Sequence, residues 1–162
     1  MKNEDLGEMY NRMKLRVASY SMGFLKIIRE DLGERMMKGV INKAARESGV
    51  MRAMNIKNVY DLTKGISDEF ESMLEEFGTL EFFGSQTIEG RRVDNPKCGC
   101  LPPFLKLSEK YGFTENEARQ YACRRCLPSY RISALELGLG FKGRLTENGC
   151  WMHFLGNRNA NK

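Results

Sequence analysis

Thr79-Leu-Glu-Phe-Phe-Gly-Ser-Gln-Thr-Ile-Glu-Gly-Arg-Arg-Val93 is where the periodicity of this chain changes. Before it, apolar residues recur at steps of three and four; within it, β-favouring residues gather in short runs between glycines. Thr79–Phe83 and Gln86–Val93 read as strands around Gly84-Ser85, with a weaker turn signal at Glu89-Gly90. Helices therefore precede strands, and the expected class is α+β: N-terminal helices packed against a small antiparallel sheet that closes with a C-terminal hairpin.

Upstream, Leu6, Tyr10, Met13, Val17, Tyr20, Phe24 and Ile27 form a helical stripe from Leu6 to Ile28. A second helix from Leu32 to Arg46 should bury Met36, Met37, Val40, Ile41 and Ala44, with Gly49 placed to end it. The ten methionines concentrate in this N-terminal part, where filling a helical core is their ordinary use and lining an apolar ligand pocket is the alternative. Ser67 as N-cap, Asp68 and Glu69 in a first turn, and an apolar face of Phe70, Met73, Leu74 and Phe77 read as a third helix ended by Gly78.

Downstream, Pro103–Tyr111 reads as a short helix, and Thr114-Glu-Asn-Glu117 is a capping box that opens a helix toward Cys126. Pro128 should stop or restart that helix, Arg131–Leu137 should form a further segment, and Gly138 should end it. Phe141–Leu145, a turn at Glu147-Asn148-Gly149 and Cys150–Leu155 make the closing hairpin. Residues 1–156 are expected to form one α+β domain, with 157–162 a flexible tail.

The chain has 162 residues, 41% apolar and 29% charged, with a formal charge of +5. Those are globular values, and no stretch is apolar and long enough to span a bilayer. The polar, acidic start Met-Lys-Asn-Glu-Asp-Leu-Gly-Glu lacks a secretory pattern, so the expected location is cytoplasmic. In a reducing compartment, paired cysteines are ligands or redox groups before they are disulfides.

Four of the five cysteines lie in two similar segments, Cys98-Gly-Cys100-Leu-Pro and Cys123-Arg-Arg-Cys126-Leu-Pro. Three residues apart on a helix, Cys123 and Cys126 share a face; Gly99 and Pro96 put Cys98 and Cys100 in a loop that can turn both sulfurs inward. Four thiolates make a tetrahedral set, so Cys98, Cys100, Cys123 and Cys126 are the expected metal ligands, with Cys150 in reserve. Zinc is favoured over a [4Fe–4S] cluster as the commoner structural solution, although the prolines after Cys100 and Cys126 suit cluster-binding turns. Arg124 and Arg125 would moderate the thiolate charge. Three other readings stay open: buried structural cysteines, a thiol–disulfide redox role, and a thiol-dependent enzyme. The only histidine, His153, is either a further metal contact or an ordinary strand residue, and a Cys-His catalytic pair would have to draw on it. Nucleic acid is not an expected partner, because the basic excess is small and no binding motif is present.

From Val93 to Phe154 the order of elements resembles the 4-vinyl reductase domain family, and the cysteine-bearing helix with its closing Cys-Trp strand is similar to 2-amino-thiazoline-4-carboxylate hydrolase-like proteins. Gly149-Cys150-Trp-Met-His-Phe154 resembles the former's closing Gly-x-x-x-Cys-x-Phe pattern, but here the cysteine follows the glycine directly. Cys150 and Phe154, then Cys100 and Cys123, are the positions that carry over. The resemblance implies a small-molecule-binding or sensory domain, often a homodimer. Reductase activity does not follow from it, since Gly138-Leu-Gly140 lacks the spacing and preceding strand of a dinucleotide loop.

Overall fold

A computed structural model describes residues 3–59, 84–89 and 92–155. Helix α1 (Asn3–Leu32) and helix α2 (Glu34–Val59) meet at Gly33, whose φ of +83° is open to glycine at no steric cost. Strands β1 (Gly84–Glu89) and β2 (Arg92–Cys98) follow, then α3 (Leu101–Leu107), a 3₁₀ turn (Glu109–Tyr111), α4 (Glu115–Glu136), β3 (Gly140–Leu145) and β4 (Cys150–Leu155). The fold is α+β, with all neighbouring strands antiparallel in the order β1-β2-β4-β3.

Two apolar cores flank α4. Its N-terminal half gives Ala118 and Tyr121 to a core with Ala18, Met22 and Ile28 of α1 and Met37 and Ile41 of α2, closed by Phe104 and Phe113. Its C-terminal half gives Tyr130 and Ala134, with Leu137 just past its end, to a second core, where Ala53 and Ile56 of α2 meet Val93, Met152 and Phe154 of the sheet. Arg29 ties α1 to the start of α4: it donates to the Gly112 carbonyl at 2.7 Å and stacks 4.0 Å from the centre of the Phe113 ring.

Several expectations change. The helix beginning near Leu32 does not end at Gly49 but runs on to Val59, because Gly49 is buried at a crossing with α4. A Cβ there would stand 2.6 Å from the Ser129 carbonyl oxygen and 2.8 Å from the Ile132 Cβ. Met36 is exposed and Met37 is buried; Ala45, not Ala44, faces inward. Pro128 neither stops nor restarts α4. The lost N–H and ring clash of an interior proline cost about 3 kcal/mol, and the residues just after it, Ser129, Tyr130, Ser133 and Ala134, are all buried, which holds the helix on course. Gly84-Ser85 open β1 and do not separate two strands, and β1 pairs antiparallel with β2 with Glu89 opposite Arg92.

The capping box is formed as expected: Glu117 N–H donates to Thr114 Oγ1 at 3.2 Å, and Thr114 N–H donates to Glu117 Oε2 at 2.7 Å. Gly138, at φ +74°, follows the end of α4, and the closing hairpin pairs Leu145 with Cys150. The expected helix at 67–77, the strand Thr79–Phe83 and the tail 157–162 lie outside the described residues.

The Gly49 crossing is testable. Gly49→Ala should lower stability by about 1–3 kcal/mol through overpacking, whereas Gly39→Ala, on the same helix with nothing within 4 Å of its added carbon, should raise it by about 0.5–1 kcal/mol. Urea melts of the two variants check the opposite signs.

Candidate functional site: a cysteine-lined cavity

Between the two cores lies a cavity of about 310 Å³. All five cysteines line it, carried by three separate parts of the chain. Cys98 is the last residue of β2 and Cys100 the N-cap of α3, so the expected loop is a two-residue bend between a strand and a helix. Cys123 and Cys126 come from α4 as expected, and Cys150 opens β4. All five stand as thiols.

Backbone geometry brings these parts together. Asn95 of β2 pairs with Cys150 of β4, and the Cys98 N–H donates to the Asn148 carbonyl at 2.8 Å, tying the hairpin turn to the strand end. Gly149 permits the approach, since a Cβ there would overlap the Asn95 carbonyl oxygen. Strand alternation then sorts the side chains: Cys150 lies with buried Met152 and Phe154 on the helix-facing side of β4, and His153 lies with Trp151 on the other. His153 is accordingly not among the cavity-lining residues.

Arg52 of α2 is the wall residue that sequence patterns miss. It donates to Ser129 Oγ at 3.0 Å and to Ser133 Oγ at 3.4 Å, and its guanidinium lies 4.1 Å from the centre of the Tyr130 ring. Ser133 Oγ–H donates to the Gly49 and Ser129 carbonyls at 2.9 and 3.0 Å, which fixes the helix pair carrying this cation. A helical continuation past Gly49, with Ala45, Gly49 and Ala53 at four-residue steps, is the signal that could have placed Arg52 near α4. The side chains of Arg124 and Arg125 lie outside those described.

The thiols are not equivalent. The Cys100 thiol donates to the Cys98 sulfur, burial opposes ionisation, and the backbone N–H groups of Cys100 and Leu101 add their hydrogen bonds, so Cys98 is drawn down to about 6. Cys100, as that donor, is pushed upward, by the hydrogen bond first and by burial second. Burial, followed by the nearby thiolates, raises Cys123 to about 11 and Cys150 to about 12. Burial likewise lifts Tyr130 to about 12. Among Cys98, Cys100, Cys123 and Cys150, the cavity as it stands thus favours the thiolate at Cys98.

Among the described residues, no three histidine, cysteine, aspartate or glutamate side chains stand close enough to share one ion as they lie. The donor chemistry nevertheless suits a thiophilic metal: five cysteines from three parts of the chain line one space, with no described carboxylate among its lining residues. Again among the described residues, no helix is long and apolar enough to cross a membrane.

Neither the protein-family models, nor the curated proteins, nor the solved structures compared with this chain give a match.

In reduced, metal-free protein, iodoacetamide at pH 7 should modify Cys98 first, since only the thiolate attacks. The rate should rise with a midpoint near pH 6, and Cys100→Ala should move it toward the ordinary thiol value; peptide mapping by mass spectrometry reads both. A depressed folded-state pKa also makes the sign of the linkage definite: the stabilisation from Cys98 is complete above the unfolded thiol value of 9.0 and is lost as pH falls through about 6.

Proposed function

We propose that this chain is a cytoplasmic small-molecule-binding or sensory domain whose cavity holds a zinc ion through cysteine thiolates. The observation that carries the reading is the convergence of Cys98, Cys100, Cys123, Cys126 and Cys150 on one cavity. Zinc takes four soft donors tetrahedrally, with Zn–S bonds of about 2.3 Å, and the two close pairs supply two ligands from each side. Cys150 completes the set if one of the four is displaced. Lys14 and Arg119, whose positive charges act on Cys98 and Cys123 respectively, together with Arg52 on the wall, would offset the negative charge of a thiolate-bound ion.

A cavity near 310 Å³ leaves room for a small molecule beside an ion. Its wall offers such a ligand an apolar side of Leu101, Phe104, Leu127 and Met152, and a polar side of Arg52 and Tyr130. The resemblance to the 4-vinyl reductase domain family points the same way.

A [4Fe–4S] cluster is the second reading, favoured by one observation: all five cysteines line the cavity, yet among the described residues no three stand close enough to share a single ion. A cluster is bulkier than a single ion and holds its four thiolates farther apart.

Elemental analysis and a visible spectrum of anaerobically purified protein decide between them. The expected result is stoichiometric zinc that falls about tenfold or more in affinity in Cys98→Ser and Cys123→Ser. Iron with acid-labile sulfide and a broad brown absorbance replaces zinc by the cluster. Absence of any metal overturns both and leaves thiol chemistry at Cys98.

A further inference from the structure

A structural zinc ion is closed by four protein ligands, with no position left over. Five cysteines line this cavity. Given the zinc reading, on which this inference depends, one sulfur is therefore always surplus. Exposure separates the five: Cys126 is exposed, whereas Cys98, Cys100, Cys123 and Cys150 are half-buried. Of the four ligands in the two close pairs, Cys126 is thus the one that an incoming molecule meets first.

The surplus sulfur belongs to Cys150, and it is placed to stand in for Cys126. Cys150 pairs with Asn95 on one side and with Leu145 on the other, so backbone register on both flanks holds it at the cavity wall. Its thiol is pushed up first by burial and then by the charge of Cys126, which weighs on it more than those of Cys98 and Cys123. An exposed charge is the more strongly screened, so that greater weight reflects a shorter separation. Nor is one tetrahedron locked in advance, since among the described residues no three such side chains share an ion as they lie. Two sets of four are open, and they differ only in whether Cys126 or Cys150 supplies the fourth sulfur.

We infer that the cavity is a zinc-transfer site, in which Cys150 replaces Cys126 on the ion and so uncovers its solvent side to an acceptor thiol. In the first step the bond from Cys126 to zinc breaks as the bond from Cys150 forms, and the Cys150 proton passes to the departing Cys126 sulfur. Charge and ligand number are unchanged, and no oxidant takes part. The acceptor sulfur then enters as a fifth ligand, an expansion zinc tolerates. The remaining cysteines leave in turn, each taking a proton from an acceptor thiol. Lys14, whose charge acts on Cys98 and Cys100, Arg119, whose charge acts on Cys123, and Arg52 on the wall favour an acceptor that is itself anionic.

The test mixes the zinc-loaded full chain with dimercaptosuccinate, a dithiol that carries carboxylates, and follows the zinc left in the desalted protein over time by elemental analysis. The loss should quicken in proportion to dimercaptosuccinate concentration. Cys150→Ser, with stoichiometric zinc and unchanged far-UV circular dichroism, should lose it at least about tenfold more slowly. Cys126→Ser should keep zinc with an affinity within about threefold of the parent chain, because Cys150 takes the vacant place, whereas removing both sulfurs should weaken binding about tenfold or more. Equal rates for the parent and Cys150→Ser overturn the proposal, as does a Cys126→Ser protein that binds zinc no better than the double variant. Either result leaves the zinc reading standing. A parent chain that takes up no zinc overturns both.

Discussion

Gly49 meets Ser129 and Ser133 where α2 crosses α4, and the rest of the molecule is arranged around that contact. With no side chain on α2 at this point, the α4 backbone can approach until Ser133 bonds across to the Gly49 carbonyl at 2.9 Å. One helical turn after Gly49, Arg52 reaches back to Ser129 and lies over Tyr130. The close crossing thus sets three things together: the depth of α4, the placement of a cation on the cavity wall, and the direction in which Cys123 and Cys126 leave the helix. It also explains how α4 carries a proline through its interior, since the turns that follow are held by buried packing and do not depend on the missing hydrogen bond.

The cavity exists because α4 contributes to two cores that do not merge. Its lining takes Phe104 from one and Tyr130 and Met152 from the other, and cysteines fill the seam. Small, polarisable side chains close such a gap without demanding full hydration. Their electrostatics are mutually limiting: with Cys98 ionised, Cys100, Cys123 and Cys150 resist losing their protons. Several thiolates in one small space require an incoming cation, which couples metal binding to proton release. The proposed zinc site and the reactive Cys98 are therefore two states of one group of residues.

Much of this architecture was legible in the chain. The capping box at Thr114, the hairpin turn through Glu147-Asn148-Gly149 and the helix end at Gly138 are local events, decided by side chains that bond to nearby backbone or by backbone conformations that glycine allows. Long-range approach was less legible. Gly49 carries the same local signal as a helix-ending glycine, but it serves a close crossing. The α1 stripe marks a helix correctly, yet the helix packs through Ala18 and Met22 on a different face. A hydrophobic period reports that a surface wants a partner; it does not say which one.

By itself, the amino-acid sequence determined the α+β class, the helix and hairpin signals in its C-terminal half, and the close spacing of two cysteine pairs. Each rests on interactions within a few residues. Only the tertiary structure decided that Cys150 joins both pairs around one cavity, that His153 faces away from it, and that Arg52 completes the wall. Those outcomes depend on strand register and on how closely two helices approach, and residues distant along the chain set both.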